Sequence, residues 1–527
     1  MKNPLRRDLI KGLSAGIAPF ATPASIARSL PLLMSGCATA NDAVSVYPKL
    51  ANNNPLGFLG LLQNGVEADY EAVVDGRLPA GLSGTFYRNG PGIYTRPNGR
   101  KGSLADGDGM IRRYRFNQGK VAYRSRLVKT DKLREEQAAN KFVYGTWTSP
   151  VPADGKRTQG SPNQAGVTTV IRNGKLYAHD EVNPPWVLDP STLESISTDN
   201  LGIPDPSGLK AHFRVDAKTN EWILFDSVFS PTAPTHSAYI VSADGKSTTS
   251  RTISVGPNVP LSYMHDFFVT SSSVLMFLHP AFPDFAKLRQ GVPFGQSLTW
   301  KSTDPTKIAI LSRKGDVEPI VVEADSRWMW HSANAYDRGN EIIADYVGYE
   351  KPDHFIEIDG KEPAWFAYMK GRTGSYTYPG KLRRLIINKQ TKAVREEILD
   401  SGNNEFPIVD KRVHCHEHRD IYFIQAPKDA LWWSKIASFD TKTGASDGYD
   451  FGPGYYLNEP SFAADKTQPV NLAGRDNGWV LVPVYELATG VSSLAVFQAN
   501  ALSSGPIASV RLKNPDPFAF HGFWQES

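Results

Sequence analysis

The chain has 527 residues, of which 40% are hydrophobic and 21% are charged, a composition typical of a folded globular protein and not of a disordered one. Its 58 basic residues nearly balance its 54 acidic ones, and no basic stripe interleaved with aromatic residues is present, which argues against nucleic acid as a partner. This length suffices for several ordinary domains or for one large all-β architecture.

The first 40 residues have the features of a twin-arginine-type signal segment. Arg6-Arg7 precedes a mildly apolar stretch from Gly12 to about Ala27. Two cleavage sites then compete: Ala38-Thr39-Ala40 has a small-x-small pattern, whereas Leu33 to Cys37 resembles a lipobox with Cys37 as the lipidated residue. We therefore expect a periplasmic protein exported by the twin-arginine route, with or without a lipid anchor. An ordinary basic start before a core helix is the alternative.

Beyond this segment no run reaches the ~20 apolar residues that a membrane span requires. The mature protein is thus expected to be soluble, lipid-anchored or in peripheral contact with a membrane. The only cysteines are Cys37 and Cys415, so no intramolecular disulfide is possible once Cys37 is removed or acylated. No feature of the sequence indicates the oligomeric state.

From residue 45 onward, short apolar runs alternate with turn residues, as in antiparallel sheets. Strands are predicted at residues 168–171, 175–177, 266–270, 274–278, 308–311, 320–323, 385–387 and 479–484. Pairs that tolerate the positive φ of tight turns are Asn89-Gly90, Asp154-Gly155, Asn173-Gly174, Asp244-Gly245 and Asp359-Gly360. The best helix candidate is Thr130 to Asn140.

A recurrent phrase consists of an apolar residue, Asp or Asn, two further residues and Thr, and it indicates a strand, a tight turn and a return strand. Its copies begin at Leu188, Val215, Ile387 and Phe439. Repeated hairpins over this length favour a β-propeller, whose blades leave few exposed strand edges. Because the spacing is irregular, a pair of β-sandwiches is the alternative. No shift in composition marks a second domain, so residues 45–527 are expected to form one domain.

Four of the eleven histidines share a distinctive context. Each has an aromatic residue within two positions, so each is expected to point into a buried interior; they are His212, His265, His331 and His521. A buried imidazole is costly unless it is paired or binds a metal. Taken singly, however, each is more often a hydrogen-bonded core residue, and their spacings match no local metal motif.

The other histidines are assigned no function. Four occupy turn-like or mixed surroundings without a recognisable partner, namely His179, His236, His279 and His354. Three more alternate along a predicted strand and would share one face, namely His414, His416 and His418. A metal site is one interpretation of that cluster, but a solvated or hydrogen-bonded strand face beside Arg419 is favoured.

Eight ordered phrases resemble those of the carotenoid cleavage oxygenases, the family that includes the retinal pigment epithelium isomerase and the lignostilbene cleavers. The likeness extends from about Gly57 to the C-terminus. Besides the four histidine phrases, it rests on Phe86–Gly92, Asp106–Ile111, Asn404–Pro407 and Asn458–Phe462.

The resemblance implies an all-β, seven-bladed propeller with a helical and loop cap over an axial face that bears iron. One iron(II) per chain would be bound by the catalytic histidines His212, His265, His331 and His521, with dioxygen as the co-substrate. Four neutral imidazoles suit iron(II) and leave coordination positions open. The resemblance also implies that a glutamate orients each of three histidines: Glu181 for His265, Glu405 for His331 and Glu459 for His521. His212 would lack a carboxylate.

Three positions depart from the family pattern. Ser103-Leu104-Ala105 replaces an aromatic pair, and Val167, followed by Thr168, stands where many members carry a threonine. Asp180 stands where lignostilbene cleavers place a lysine that holds the substrate phenol. Because a carboxylate repels a phenolate, Asp180 predicts a preference for an apolar polyene over a 4-hydroxystilbene, unless another basic residue such as Lys156 reaches in.

These observations predict that residues 45–527 are the catalytic domain of an iron(II)-dependent dioxygenase. It would cleave a C=C bond of a lipophilic small molecule, a carotenoid or apocarotenoid, into two carbonyl products. The alternatives on the same scaffold are lignostilbene-type cleavage and non-oxidative isomerisation. A calcium-dependent propeller lactonase or binding protein is less favoured, since such sites use carboxylate and amide oxygens.

Overall fold

Seven antiparallel sheets form the blades of a β-propeller in the computed structural model, which describes residues 62–158, 160–230, 232–254, 261–427, 430–466, 475 and 477–527. Each blade has at least four strands, and most strands pair with their neighbours in sequence. The predicted seven-bladed all-β fold is confirmed, and the alternative of two sandwiches is wrong.

The strands of each blade are as follows. Blade 1 contains Ala68–Glu71, Gly84–Ile93, Asp108–Asn117, Lys120–Leu127 and Gly522–Glu526. Blade 2 contains Thr169–Arg172, Lys175–Ala178, Trp186–Leu188 and Ser195–Thr198, and blade 3 contains Leu209–Val215, Trp222–Val228, Thr235–Val241 and Thr248–Ser254. Blade 4 contains Phe268–Val269, Ser273–Leu278, Thr306–Ser312 and Ile320–Ala324, and blade 5 contains Trp328–Arg338, Glu341–Tyr349, Lys381–Asn388 and Val394–Asp400. Blade 6 contains Asn403–Ile408, Asp420–Ala426, Lys435–Asp440 and Ser446–Asp450.

Blade 7 closes the ring together with blade 1. It contains Val73–Gly76, Tyr455–Leu457, Ser461–Ala464, Gly478–Glu486, Val491–Gln498 and Ala508–Arg511. Its strand Val73–Gly76 comes from the N-terminal part of the chain and pairs with Ala508–Arg511, whereas the last strand, Gly522–Glu526, pairs with Gly84–Ile93 in blade 1. This exchange of strands joins the two ends of the ring by backbone hydrogen bonds. Two short hairpins lie outside the blades, Thr95–Arg96 with Gly99–Arg100 and Ala281–Pro283 with Leu298–Trp300.

The recurrent phrase forms the same turn in four places because its Asp or Asn side chain accepts two backbone N–H groups. In the copy that begins at Val215, Asp216 Oδ1 accepts hydrogen bonds from the backbone N–H groups of Lys218 (2.9 Å) and Thr219 (3.1 Å). The other copies form these bonds through Asp189, Asn388 and Asp440. The strand–turn–strand interpretation is therefore confirmed.

One predicted turn pair is wrong. Asn89-Gly90 lies inside the strand Gly84–Ile93, where Asn89 Nδ2 donates hydrogen bonds to the carbonyls of Ala165 (2.8 Å) and Thr168 (2.9 Å). A Cβ atom on Gly90 would lie 2.3 Å from Cα of Ala519. This glycine permits the segment around Ala519 to approach the strand closely, and it has no role in a turn.

The helices of the described part are short: α1, Asp131–Ala139; α2, Phe285–Arg289; α3, Phe294–Ser297; α4, Ala364–Met369. Single 3₁₀ turns are Pro206–Gly208, Lys411–Val413 and Leu502–Ser504. The predicted helix is α1, which begins because Thr130 Oγ1 accepts a hydrogen bond from the Leu133 N–H (3.1 Å) and ends at Asn140, whose φ is 49°. Among the described residues, no helix has the length and apolar character to cross a membrane.

Long connections form the predicted cap over one end of the propeller. In an antiparallel blade, the start of the inner strand and the connection between the second and third strands lie at the same end. Residues 279–305 make this connection in blade 4 and residues 350–380 make it in blade 5, and they carry α2, α3 and α4. Trp365 of α4 stacks on Trp330 of blade 5, with ring centroids 5.1 Å apart. The cap therefore covers the ends of the inner strands with aromatic side chains.

Hydrophobic clusters fill the spaces between neighbouring blades. Phe225 and Met276 belong to the cluster between blades 3 and 4, and Phe277 and Ile342 to the cluster between blades 4 and 5. The largest cluster lies beneath the cap and includes Trp328. Such close packing holds the inner strands in fixed positions.

All described residues fall within one compact unit, Tyr47–Ser527. The predicted signal segment, residues 1–40 with Cys37, lies outside the described residues. Cys415 is buried and is not part of a disulfide.

Candidate metal centre

The fold directs side chains from all seven blades toward one point near the propeller axis. Three of the predicted site residues lie just before inner strands at the capped end: His265 before Phe268–Val269, Glu459 before Ser461–Ala464, and His521 before Gly522–Glu526. Glu181 lies in the connection between the second and third strands of blade 2. The other three lie within inner strands: His212, His331 and Glu405.

Irregular strand pairing accompanies the three residues within inner strands. Pairing between neighbouring strands shifts register from Leu209 to Phe213, a stretch that contains His212. It also shifts between Met329 and Ser332, around His331, and between Glu405 and Ile408. A β-bulge turns a strand locally and redirects its side chains. These irregularities let the inner strands of blades 3, 5 and 6 present His212, His331 and Glu405 to the same centre.

The four predicted histidines form one buried cluster. Nε2 of His212 lies 3.0 Å from Nε2 of His265, and one ligand atom from each of His212, His265 and His331 lies within 4.8 Å of the others. The ring of His521 has its centroid 4.6 Å from that of His212 and 4.8 Å from that of His331. Two nitrogens bound to one ion at a right angle, each about 2.1 Å from it, lie about 3 Å apart, so the His212–His265 spacing fits a shared metal.

Three of the histidines donate Nδ1–H to the predicted glutamates. His331 Nδ1 donates to Glu405 Oε2 (2.6 Å), and His521 Nδ1 donates to Glu459 Oε1 (2.8 Å). Nδ1 of His265 is 3.1 Å from Glu181 Oε2. These contacts leave each Nε2 atom unprotonated and available as a metal ligand. His521 Nε2 is buried and has no hydrogen-bond partner among the described residues, which a metal would supply.

Glu181 belongs to a buried network that the sequence did not reveal. Tyr263 Oη donates a hydrogen bond to Glu181 Oε1 (2.7 Å), and Nζ of Lys210 lies 3.6 Å from the same oxygen. Lys210 is fully buried, and its ammonium also lies 4.9 Å from the centroid of the Tyr263 ring. Burial alone would raise the pKa of Glu181, but His265 and Lys210 outweigh burial and lower it. Glu181 is therefore held as a carboxylate.

Glu405 and Glu459 each accept a second hydrogen bond. Tyr349 Oη donates to Glu405 Oε1 (2.9 Å), and the backbone N–H of Gly522 donates to Glu459 Oε2 (2.9 Å). Each carboxylate is thus fixed through both oxygens, which fixes the orientation of its imidazole.

Among the described residues, no carboxylate is hydrogen-bonded to His212, in agreement with what the family resemblance implies. The nearest acid, Asp266, has Oδ1 3.8 Å from His212 Nδ1, too far for a hydrogen bond. Asp266 Oδ2 instead accepts from Arg214 Nη2 (2.8 Å). Burial and the neighbouring imidazoles place the pKa of His212 well below its usual value, and burial likewise lowers that of His331. Both rings are therefore neutral, the form that binds metals.

Two cavities meet at the histidine cluster. The cavity on the capped side is mostly apolar, and its lining includes Trp147, Val167, Trp330, Trp365 and Phe518. The cavity on the other side follows the inner strands, and Thr168, Arg214 and His414 are among its polar lining residues. The departure at Val167 thus places an apolar side chain on the capped side, whereas the Thr168 hydroxyl donates to the Ala211 carbonyl (2.6 Å).

The structure removes the reason for expecting Asp180 to repel a phenolate. Asp180 Oδ2 accepts hydrogen bonds from the Gln164 N–H (3.0 Å) and Asn183 Nδ2 (2.9 Å), and Asp180 is not among the residues lining the apolar cavity. Burial raises its pKa to about 7, so the carboxyl group is partly protonated near neutral pH. Lys156 does not reach the cavity either, because it pairs with Glu135 at the surface.

The alternating histidines do not lie on a strand, so that part of the prediction is wrong. His414, His416 and His418 lie in the loop between Asn403–Ile408 and Asp420–Ala426, where Cys415 has a φ of 69° that a strand does not allow. His416 Nε2 is 3.1 Å from Asp216 Oδ1, and His418 Nε2 is 2.9 Å from Asp345 Oδ2. The expectation of hydrogen-bonded residues is supported for His416 and His418, and His418 Nδ1 also lies 3.1 Å from Asn334 Nδ2.

A seven-bladed propeller with a buried histidine cluster at its axis, ordered by three glutamates, defines a class of proteins with an axial site that could hold a metal. The family model of the retinal pigment epithelial membrane protein, RPE65, matches residues 62–526. The chain belongs to this family, the carotenoid cleavage oxygenases.

Relatives of known activity cover most of the chain. It is 27% identical to lignostilbene-alpha,beta-dioxygenase isozyme III of Sphingomonas paucimobilis, over 86% of this chain and 93% of the relative. It is 26% identical to apocarotenoid-15,15'-oxygenase of Synechocystis (86% and 92%) and to isoeugenol monooxygenase of Pseudomonas nitroreducens (90% and 99%). The crystal structure of cobalt-substituted Synechocystis ACO superposes with a TM-score of 0.82 at 25% identity, covering 90% of this chain and 100% of that one. The relatives' names support an oxygenase-like enzyme.

Proposed function

We propose that this chain is an iron(II)-dependent dioxygenase that cleaves a C=C bond of a conjugated lipophilic molecule into two carbonyl products. One observation carries the proposal: four buried histidines converge at the end of an apolar cavity, and three of them donate Nδ1–H to buried glutamates. This arrangement presents imidazole nitrogens, and not protons, to the centre.

The donor set favours iron(II) over calcium. Neutral imidazoles suit first-row transition metals, whereas calcium sites are built from carboxylate and carbonyl oxygens. Here the carboxylates of Glu181, Glu405 and Glu459 bind the Nδ1 atoms of the histidines, on the ring side away from the centre. The atoms that face the centre are therefore imidazole nitrogens. Bound iron(II) would supply the binding and activation of dioxygen.

The chain's own residues would position the substrate and exclude water. Trp330 and Trp365 stack beside the histidines, and Phe406 stacks on His331 with ring centroids 4.6 Å apart. Aromatic walls of this kind favour a flat, conjugated molecule. His331 and His521 do not act as acids in this account, because their N–H groups are bonded to glutamates. The account requires no other side-chain acid or base.

The substrate class is proposed from the relatives' names, which include an apocarotenoid, a lignostilbene and isoeugenol. We propose a carotenoid or apocarotenoid, with lignostilbene-type cleavage as the alternative. Non-oxidative isomerisation is distinguished by experiment. Export to the periplasm, lipidation of Cys37 and peripheral contact with a membrane are further proposals, which rest on the N-terminal sequence alone.

The test is incubation of the iron-loaded protein with a panel of apocarotenoids and hydroxystilbenes under ¹⁸O₂, followed by mass analysis. The proposal expects two carbonyl products with ¹⁸O incorporated, and none from the His331→Ala variant. An isomer of unchanged mass would identify an isomerase. Cleavage of stilbenes alone would favour the lignostilbene alternative, and no change in any substrate would contradict the proposal.

A further inference from the structure

His354 lines the apolar cavity and carries a buried ring nitrogen that has no hydrogen-bond partner among the described residues. Trp330 Nε1 donates a hydrogen bond to His354 Nε2 at 2.7 Å. An indole N–H can only donate, so Nε2 is unprotonated and the neutral ring carries its hydrogen on Nδ1. Burial lowers the pKa of His354 to about 3, which keeps the ring neutral. The tautomer is therefore set by Trp330.

The Nδ1–H group has no partner in the described part of the chain, and its nitrogen is buried. Neighbouring polar groups of the cavity are already engaged: Tyr349 Oη donates to Glu405, and Tyr376 Oη donates to Asn403 Oδ1. The indole N–H of Trp147, on the same cavity, is also buried and has no partner among the residues that the structure describes. A buried donor left unpaired is destabilising, so an acceptor that enters the cavity would be bound favourably.

The position of His354 is rigidly defined. Its ring lies 4.6 Å from that of Tyr349 and 5.7 Å from that of Trp365, and its backbone carbonyl accepts from the Trp365 N–H (3.1 Å). Its partner Trp330 directly precedes His331 in the chain. A ligand held at Nδ1 would therefore have a defined distance from the histidine cluster, and an oxygen at one end of a substrate would fix which bond lies at the centre.

We propose that His354 Nδ1–H donates a hydrogen bond to an oxygen atom at one end of the substrate, such as a phenol, methoxy or carbonyl oxygen. The substrate class is thus an alkene or polyene with an oxygen-bearing end group, and pure hydrocarbons bind less well. This inference rests on the proposed function for its view of the ligand as a substrate.

Binding measured without turnover separates the two proposals. The iron-loaded protein is titrated under nitrogen with two matched pairs, 4-methoxystilbene with trans-stilbene and an apocarotenal with the hydrocarbon polyene of equal length. Quenching of tryptophan fluorescence gives Kd. The oxygenated member of at least one pair should bind about tenfold more tightly, the effect of one hydrogen bond to a buried donor. The pair that shows the ratio identifies the substrate skeleton.

In His354→Phe the ratio should fall to about one while the hydrocarbon Kd stays unchanged. His354→Gln, which can accept from Trp330 and still donate, should retain most of the ratio and guards against a simple folding defect. An unchanged ratio in His354→Phe, its loss in Trp147→Phe instead, or no ratio in the wild type would overturn the inference. If cleavage products form but oxygenated ligands bind no more tightly than hydrocarbons, the oxygenase proposal stands and the role of His354 is wrong. If oxygenated ligands bind more tightly but no cleavage products form, only the oxygenase proposal is contradicted.

Discussion

Nδ1 of His331 lies 2.6 Å from Oε2 of Glu405, and the other carboxylate oxygen of Glu405 accepts a hydrogen bond from Tyr349. The carboxylate is buried between an imidazole and a phenol, so its negative charge acts mainly on His331. This charge makes the imidazole a stronger metal ligand and keeps the ring in one orientation.

We predict that Glu405→Gln weakens iron binding by roughly 10–100-fold, the usual size of such outer contacts, while the protein remains folded. Glutamine keeps an acceptor for His331 but removes the charge. Competition with a chelator measures the iron Kd, and Glu397→Gln, at a half-buried position on blade 5 where the side chain pairs with Arg395, is the matched control. Equal iron affinity in both variants would show that Glu405 does not act on the metal.

The buried ammonium of Lys210 predicts a pH effect. Because Lys210 and His265 lower the pKa of Glu181, Lys210→Met should raise it. Protonation removes the negative charge of Glu181 and weakens the hydrogen bond that it accepts from His265, so the variant should release iron at a higher pH than the wild type. Iron retained after desalting across a pH series measures this. Lys246→Met, at an exposed turn of blade 3, should behave as wild type. Coincident release curves for Lys210→Met and wild type would refute the effect.

Asp180 predicts a pH-dependent loss of stability. Its pKa is about 7 in the folded protein, above its usual 3.8, so the folded state binds the proton more tightly than the unfolded state. The resulting stability is fully present below about pH 4 and is lost as the pH rises to about 7, at about 1.4 kcal/mol per pKa unit. Asp180→Asn removes this dependence. Urea unfolding at pH 5 and pH 8 gives the free energy of unfolding of both proteins. Relative to the wild type, the variant should be more stable at pH 8 than at pH 5. An equal difference at the two pH values would exclude the effect of Asp180.

Much of the fold and site was accessible from the sequence. The hairpins and the helix α1 are predictable because they depend on hydrogen bonds between residues close in sequence, as in the turn at Asp216 and the cap at Thr130. The family phrases identified four histidines and three glutamates that the structure brings together, although no local spacing could have done so. Separations of 53 to 190 residues are bridged only by the ring of blades.

What the sequence missed depends on tertiary contacts. In the sequence, nothing distinguishes Lys210 from an ordinary strand residue. Only the packing of blade 2 against blade 3 brings it close to Glu181. The sequence shows no recognisable partner near His354, yet Trp330, 24 residues earlier, donates to it. The strand predicted for His414 to His418 failed because side chains there bond to Asp216 and Asp345 of other blades, which favours a loop. The alternating histidine pattern gives no indication of these contacts.

The N-terminal segment predicts export by the twin-arginine route. A reporter fused to residues 1–45 should reach the periplasm only in cells with an intact twin-arginine pathway, and Arg6→Lys with Arg7→Lys should block it. Fatty-acid labelling of the wild type and of Cys37→Ser decides between lipidation and ordinary cleavage. Normal export of the double-lysine variant would rule out this route.

The most direct test of the account is the metal content of the purified protein. We predict about one iron per chain, held by His212, His265, His331 and His521. Alanine at any one of these positions should remove the iron and the activity, whereas His416→Ala, which lies outside the cluster and contacts Asp216, should retain both. Wild-type protein free of iron after growth with iron, or full iron content in His331→Ala, would contradict the account.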